Sequence, residues 1–214
     1  MSVNYRSLVP GGFYSANPFD RTIPTSIRCN NPGAINGAPW EKNYPGYVDT
    51  VETTPGNKTT IFEAPEFGVA VWRELLRRYA AAGAETVKDI INKYGGGQDH
   101  SAYVAFVTNK TGFGPTKKIP LNDDDTLLVF GKAMFQYEAG RPTPLKDEQI
   151  RYGLHLGRAK GKEDVAGPPP AVMLTEARTA TDAPAPVIPA MTKDADALTL
   201  ETYADQLWIS RRAS

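Results

Sequence analysis

The order of patterns along the chain is what most restricts its fold: one strand-like segment comes first, and every later periodic segment is helical. Tyr44 to Phe62 is rich in Thr, Val and Tyr and is interrupted by Thr54-Pro-Gly-Asn-Lys58, which reads as two short strands joined by a turn. Ala64-Pro65-Glu66 then opens a helix, because proline suits its first position and acids suit its positive end. Its apolar stripe is Trp72, Leu75, Leu76 and Tyr79, with Glu74 and Arg78 at the four-residue spacing of a surface ion pair. Further helices are expected over about Glu85 to Tyr94, stopped by Gly95-Gly-Gly97, and over about His100 to Val107. Another runs from the Asn122-Asp-Asp-Asp-Thr126 cap to Gly140, and a last one covers about Lys146 to Leu156. A small hairpin followed by about five helices is an α+β, mainly helical domain. No internal repeat is present, so solenoid architectures drop out.

Composition narrows the function. Lys and Arg number 24 and so do Asp and Glu, with no sustained basic run, so the footprint of a nucleic-acid binder is missing. No segment approaches transmembrane length, and Met1 to Gly12 has no apolar core of signal-peptide length, so export by the standard signal is not expected. One cysteine, Cys29, excludes an intrachain disulfide. With only His100 and His155 beside it, the usual zinc spacings are absent, and neither a metal nor another cofactor is expected. Cys29 reads as a small buried residue, with a thiol nucleophile as the alternative. Asp123 to Asp125 precede a helix and read as caps rather than a calcium site.

The organisation that follows is an N-terminal extension over 1–25, a domain over 26–158, a disordered linker over 159–190 and a short amphipathic segment over 191–214. Between Gly161 and about Ala190 the chain turns to Pro, Ala, Thr and acids and loses periodicity. Leu200, Tyr203, Leu207 and Trp208 then share one helical face, suited to docking on a partner or back onto the domain. A monomer is the default expectation.

Glu138 is the residue that points to chemistry. Steps of four back from it reach Met134 and Phe130, so on a helix the carboxylate continues an apolar ridge, and Gly140 ends the helix at once. A carboxylate against apolar side chains has its charged form disfavoured, which suits a general acid working near neutral pH. The alternative is an ordinary last-turn residue reaching out to solvent. The other informative stretch is Arg28-Cys-Asn-Asn-Pro-Gly-Ala-Ile35, where Pro32-Gly33 forces a turn and Asn30 and Asn31 can bond backbone groups.

Arg28, Asn30, Asn31, Pro32, Gly33 and Ile35, then Phe62 and Gly68, then Glu138 and Gly140, resemble in type and order a phage family of structural or virion proteins with lysozyme-superfamily domains. A wider resemblance is to bacterial cell-wall glucosaminidases, in which a catalytic Glu-Ser-Gly helix precedes an Asn-x-x-Gly-Ile turn, a hairpin and a Tyr pair. Asn30 to Ile35, the hairpin, Tyr94 and Tyr103 follow that order, while the Glu138 helix stands at the other end, as in a circularly permuted domain. Ala139 replaces the Ser of the glucosaminidases, and Cys29 and Ala34 replace the Asn more usual in the phage group.

These resemblances imply cleavage of the peptidoglycan glycan strand, with Glu138 as general acid and Tyr94, Tyr103, Asn30 and Asn31 at the sugar. For the asparagines, holding the turn is the competing role; for the tyrosines, closing the core is. Candidates for a second carboxylate are Asp49, Glu52 and Glu63. A lytic transglycosylase would need none, since one Glu serves as acid and then base. Such a protein, made in the cytoplasm, would reach the wall as a phage component, a lysis protein or a secreted effector, with the C-terminal segment docking on a virion or secretion-machine partner. The competing reading is a non-catalytic virion protein that keeps the fold and binds glycan or an assembly partner.

Overall fold

The computed structural model describes residues 17–96 and 99–159, so the Pro-rich linker from residue 160 and the C-terminal segment lie outside the described residues. Six helices and one antiparallel hairpin occupy Thr25 to Ala159: an α+β, mainly helical architecture. Helix α1 (Thr25–Arg28) is a single turn that the sequence pattern did not signal. After a 3-10 turn at Pro39–Asn43 come β1 (Tyr47–Thr54) and β2 (Asn57–Phe62), then α2 (Pro65–Ala81), α3 (Val87–Tyr94), α4 (Ser101–Thr111), α5 (Asp124–Ala139) and α6 (Asp147–Ala159).

Local chemistry accounts for the boundaries. Thr54 pairs with Asn57, leaving Pro55-Gly56 as the two-residue loop, and Gly56 takes the positive φ of 78° that such a turn needs. Pro65 starts α2 as expected. Helix α3 begins two residues later than its periodicity predicts, because Thr86 caps it by accepting from the Asp89 amide at 3.1 Å. Helix α4 extends a full turn beyond Val107: Gly112, at φ 73°, is its cap, and the exposed polar residues before it hid that turn from an apolar pattern. Asp123 caps α5 through the Thr126 amide at 2.8 Å, and Gly140, at φ 65°, closes it.

Strand β2 is buried from Thr59 to Phe62 because the 29–37 segment runs along its free edge. Phe62 N donates to the Cys29 carbonyl at 2.9 Å, Thr60 N to Ile35 at 3.3 Å, and Gly37 N to Lys58 at 2.7 Å. That segment acts as an irregular third strand, satisfying backbone groups that would otherwise be stranded in the core.

Helix α2 is the centre of the packing. Trp72 is fully buried and meets Phe135 edge-on at 5.0 Å and Phe130 at 6.2 Å, tying α2 to α5. The motif turn lies on the start of α2, where a Cβ at Gly68 would stand 2.6 Å from the Asn30 carbonyl and 2.7 Å from Pro32 Cδ. On another side α6 packs close: a Cβ at Gly153 would stand 2.6 Å from the Glu66 carbonyl and from Val69 Cβ. Gly153→Ala therefore separates α6 from α2 and costs about 1–3 kcal/mol, read as a lowered denaturant midpoint at unchanged slope.

Ion pairs fasten the start of α5. Arg73 reaches Asp124 at 2.6 Å, Arg158 reaches it at 3.1 Å, and Arg151 meets Asp125 at 2.6 Å. The Asp123 to Asp125 run is thus a cap and two ion-pair partners. The Glu74–Arg78 pair forms at 2.9 Å but is not a plain surface pair: the Glu74 side chain is only 9 % exposed and also holds Arg77. Among the described residues no helix is long and apolar enough to cross a membrane.

Candidate functional site

Glu138 lies in the last turn of α5, partly buried, with its Oε1 atom screened from solvent. Tyr103 of α4 reaches it. The Tyr103 ring is buried and stacks on Tyr137 at 3.7 Å between centroids and 12° between planes. Its hydroxyl lies 3.4 Å from the Met134 carbonyl and also hydrogen-bonds the Glu138 side chain. A phenol has one proton to give, and the carboxylate is the stronger acceptor. Burial, reinforced by the charge of Glu138 and the neighbouring Tyr94, pushes the Tyr103 phenol well above its ordinary range. Tyr103 is therefore a fixed donor at any working pH, holding one carboxylate in a low-dielectric setting.

Tyr94 joins this cluster to the motif turn. Its hydroxyl donates to the Gly33 carbonyl, so the end of α3 is bonded to the Pro-Gly turn. Its ring meets Tyr79 edge-on at 6.5 Å. A Cβ on Gly33 would fall 2.4 Å from that hydroxyl and 3.0 Å from Trp72, which explains why a glycine stands there. One bond joins Tyr94 to the Pro-Gly turn and another joins Tyr103 to Glu138, with the charge of Tyr94 felt at Tyr103 across the two pairs.

Asn30 and Asn31 have a different place from the one the glycan reading gave them. Both are fully buried. The Asn31 side chain donates to the Ile35 and Thr60 carbonyls and accepts from the Ile35 amide, all at 3.0 Å. Asn30 donates to the Phe62 carbonyl at 2.9 Å and to the Glu63 carbonyl at 3.3 Å. Their amide groups hold the turn against β2, because buried main-chain groups there need partners. Asn30 has φ 51° and Ala34 φ 49°. Asn tolerates this left-handed region better than Ala, so the strain falls on Ala34 more than on Asn30.

Of the second-carboxylate candidates, Asp49 and Glu52 bond backbone amides of the hairpin. Asp49 is exposed and accepts from the Thr50 amide at 2.7 Å. Glu52 is exposed and caps the hairpin loop through the Gly56 amide at 2.9 Å. Glu63 is exposed at the end of the hairpin. Cys29 is buried, and burial pushes its thiol up to about 11, so it stays protonated and serves as a packing residue rather than a nucleophile. Among the described residues no group of three or more His, Cys, Asp or Glu is placed to hold a metal ion.

One carboxylate escaped sequence reasoning. Glu41, in the 3-10 turn, is fully buried, accepts from the Thr60 hydroxyl, and has its carboxyl pushed up to about 7 by burial. Pro39-Trp-Glu-Lys-Asn43 reads as a polar loop, and no periodicity marks the glutamate as an inward residue. Below its unfolded value of 4.5 Glu41 is neutral in both states; between there and about 7 only the folded form keeps the proton. Its contribution to stability is therefore full at acid pH and lost as pH rises through 7. Glu41→Gln removes that loss, so at pH 8 the variant is more stable than wild type by up to about 3 kcal/mol, with little difference near pH 4. Urea denaturation at both pH values reads this directly.

No protein-family model matches the chain, and no curated protein matches it.

Proposed function

We propose that the chain cleaves the glycan strand of peptidoglycan, with Glu138 giving a proton to the leaving oxygen and then acting as base. The observation that carries this is the Glu138 carboxyl itself: one oxygen is screened from solvent, and the group is held by a buried phenol that stays protonated. A carboxylic acid must be both positioned and partly desolvated to protonate a glycosidic oxygen, and this arrangement supplies both.

The engaged, exposed states of Asp49 and Glu52 favour the single-carboxylate route. In that route the C1–O bond breaks as Glu138 protonates the departing oxygen. A hydroxyl of the same sugar then bonds C1 and returns its proton to Glu138, leaving an anhydro ring. A lysozyme-like ancestry, circularly permuted so that the catalytic helix comes late, is part of the same proposal. The packing of α5 against α1, which brings the late helix to the motif segment, supports it.

Mass spectrometry of products from purified peptidoglycan tests the route. Anhydro-ended muropeptides are expected; reducing ends would assign a hydrolase and reopen the search for a second carboxylate. No product at all would favour the non-catalytic virion reading.

A further inference from the structure

We propose that Arg78 and Lys93 form a carboxylate-binding subsite that takes the peptide stems of the glycan, an inference that rests on the glycan-cleaving reading above. Most cations on the helices are already committed: Arg73 pairs with Asp124, Lys132 with Asp147 and Arg151 with Asp125. Arg77 spends both Nε and Nη2 on the Glu74 carboxylate. Arg78 gives Glu74 only its Nε, at 2.9 Å, and lays its guanidinium on the Trp40 ring, 4.4 Å from the centroid. Its Nη groups bond nothing else among the described residues, and the side chain is 46 % exposed. A guanidinium fixed on one edge by a carboxylate and on one face by a ring presents its remaining fork for two-point binding of another carboxylate.

Lys93 is exposed and forms no ion pair among the described residues, and its Nζ lies 5.2 Å from the Tyr79 ring centroid. Tyr79 follows Arg78 directly in the last turn of α2 and meets Tyr94 edge-on at 6.5 Å. Tyr94 in turn bonds Gly33, in the cluster that holds Glu138. Lys93 thus borders the Tyr79–Tyr94 pair, whose second ring bonds the motif turn, and Arg78 on Trp40 stands one residue before Tyr79 on α2. With Arg77, Arg78 and Lys93 set against Glu74, the patch keeps an excess of positive charge. A glycan whose branches are peptides ending in carboxylates has the complementary chemistry, with amphipathic sugars for the tyrosines and anions for the cations. Cations in the last turns of α2 and α3 also favour the helix ends, and a role confined to that would alter stability without altering ligand choice.

The test is co-sedimentation of the full chain with purified sacculi and, in parallel, with glycan strands stripped of their stems by an amidase. The double variant Arg78→Gln/Lys93→Gln is expected to bind sacculi about 10-fold more weakly, with a shallower salt dependence, and to bind stripped strands as wild type does. Melting temperature is read alongside to separate a helix-end effect. Equal affinity of variant and wild type for sacculi, or an equal loss on both ligands, overturns the subsite. If wild type releases no muropeptides yet shows the stem-dependent binding, the catalytic reading falls and the subsite stands. If wild type cleaves and the variant binds unchanged, the subsite alone falls.

Discussion

Glu138→Gln is expected to lower the rate of the proposed glycan-strand cleavage by ~10²–10⁴-fold, the range that general acid–base groups supply, while the melting temperature stays close to that of wild type. Gln is isosteric, keeps a carbonyl that can accept from Tyr103, and still ends α5 against Gly140. What it cannot do is give up a proton to a leaving oxygen. Separating the two effects matters because Glu138 packs among aromatic residues, and a truncation to Ala would disturb Tyr103 and Tyr137 as well. A variant that folds and still cleaves at the wild-type rate would remove Glu138 from the chemistry.

Asn31→Ala is expected to cost about 3 kcal/mol, because three buried hydrogen bonds go. The Ile35 amide, the Ile35 carbonyl and the Thr60 carbonyl all lose their side-chain partner. For a domain of this size the melting temperature should fall by roughly 10 °C. The change also reaches the site, since a loosened turn no longer fixes the Gly33 carbonyl under the Tyr94 hydroxyl. Activity should therefore fall before the protein unfolds. Guanidinium denaturation measures the stability term, and turnover well below the melting transition measures the second. A change of under 1 kcal/mol would mean that the turn is held by its backbone alone.

Turn and cap chemistry made much of the fold legible. Pro55-Gly56, Pro65, Asp123 and Gly140 each act locally, through a restricted φ, a missing amide or a short-range side-chain bond, so their neighbours in sequence suffice to read them. Glu41 and Gly153 were not legible. Glu41 is inward because Thr60 and a covering hairpin make it so, and Gly153 matters because the Glu66 carbonyl of another helix lies where its Cβ would be. Both reasons are tertiary.

The candidate site divides along the same line. The position of Glu138 on an apolar ridge follows from helical spacing, and the Tyr pair was noticed through order along the chain. That Tyr103 holds the carboxylate depends on how α4 meets α5, which no local pattern encodes. The buried roles of Asn30 and Asn31 have the same origin: an Asn-Asn-Pro-Gly turn looks identical in sequence whether its amides face a ligand or a neighbouring strand.

The most direct test of catalysis by Glu138 is the release of soluble muropeptides from purified peptidoglycan, quantified by mass spectrometry for wild type and Glu138→Gln side by side. Steady release by wild type and release at least about 100-fold slower by the folded variant is the predicted result. No release by wild type from any purified peptidoglycan, or equal release by both proteins, would contradict it.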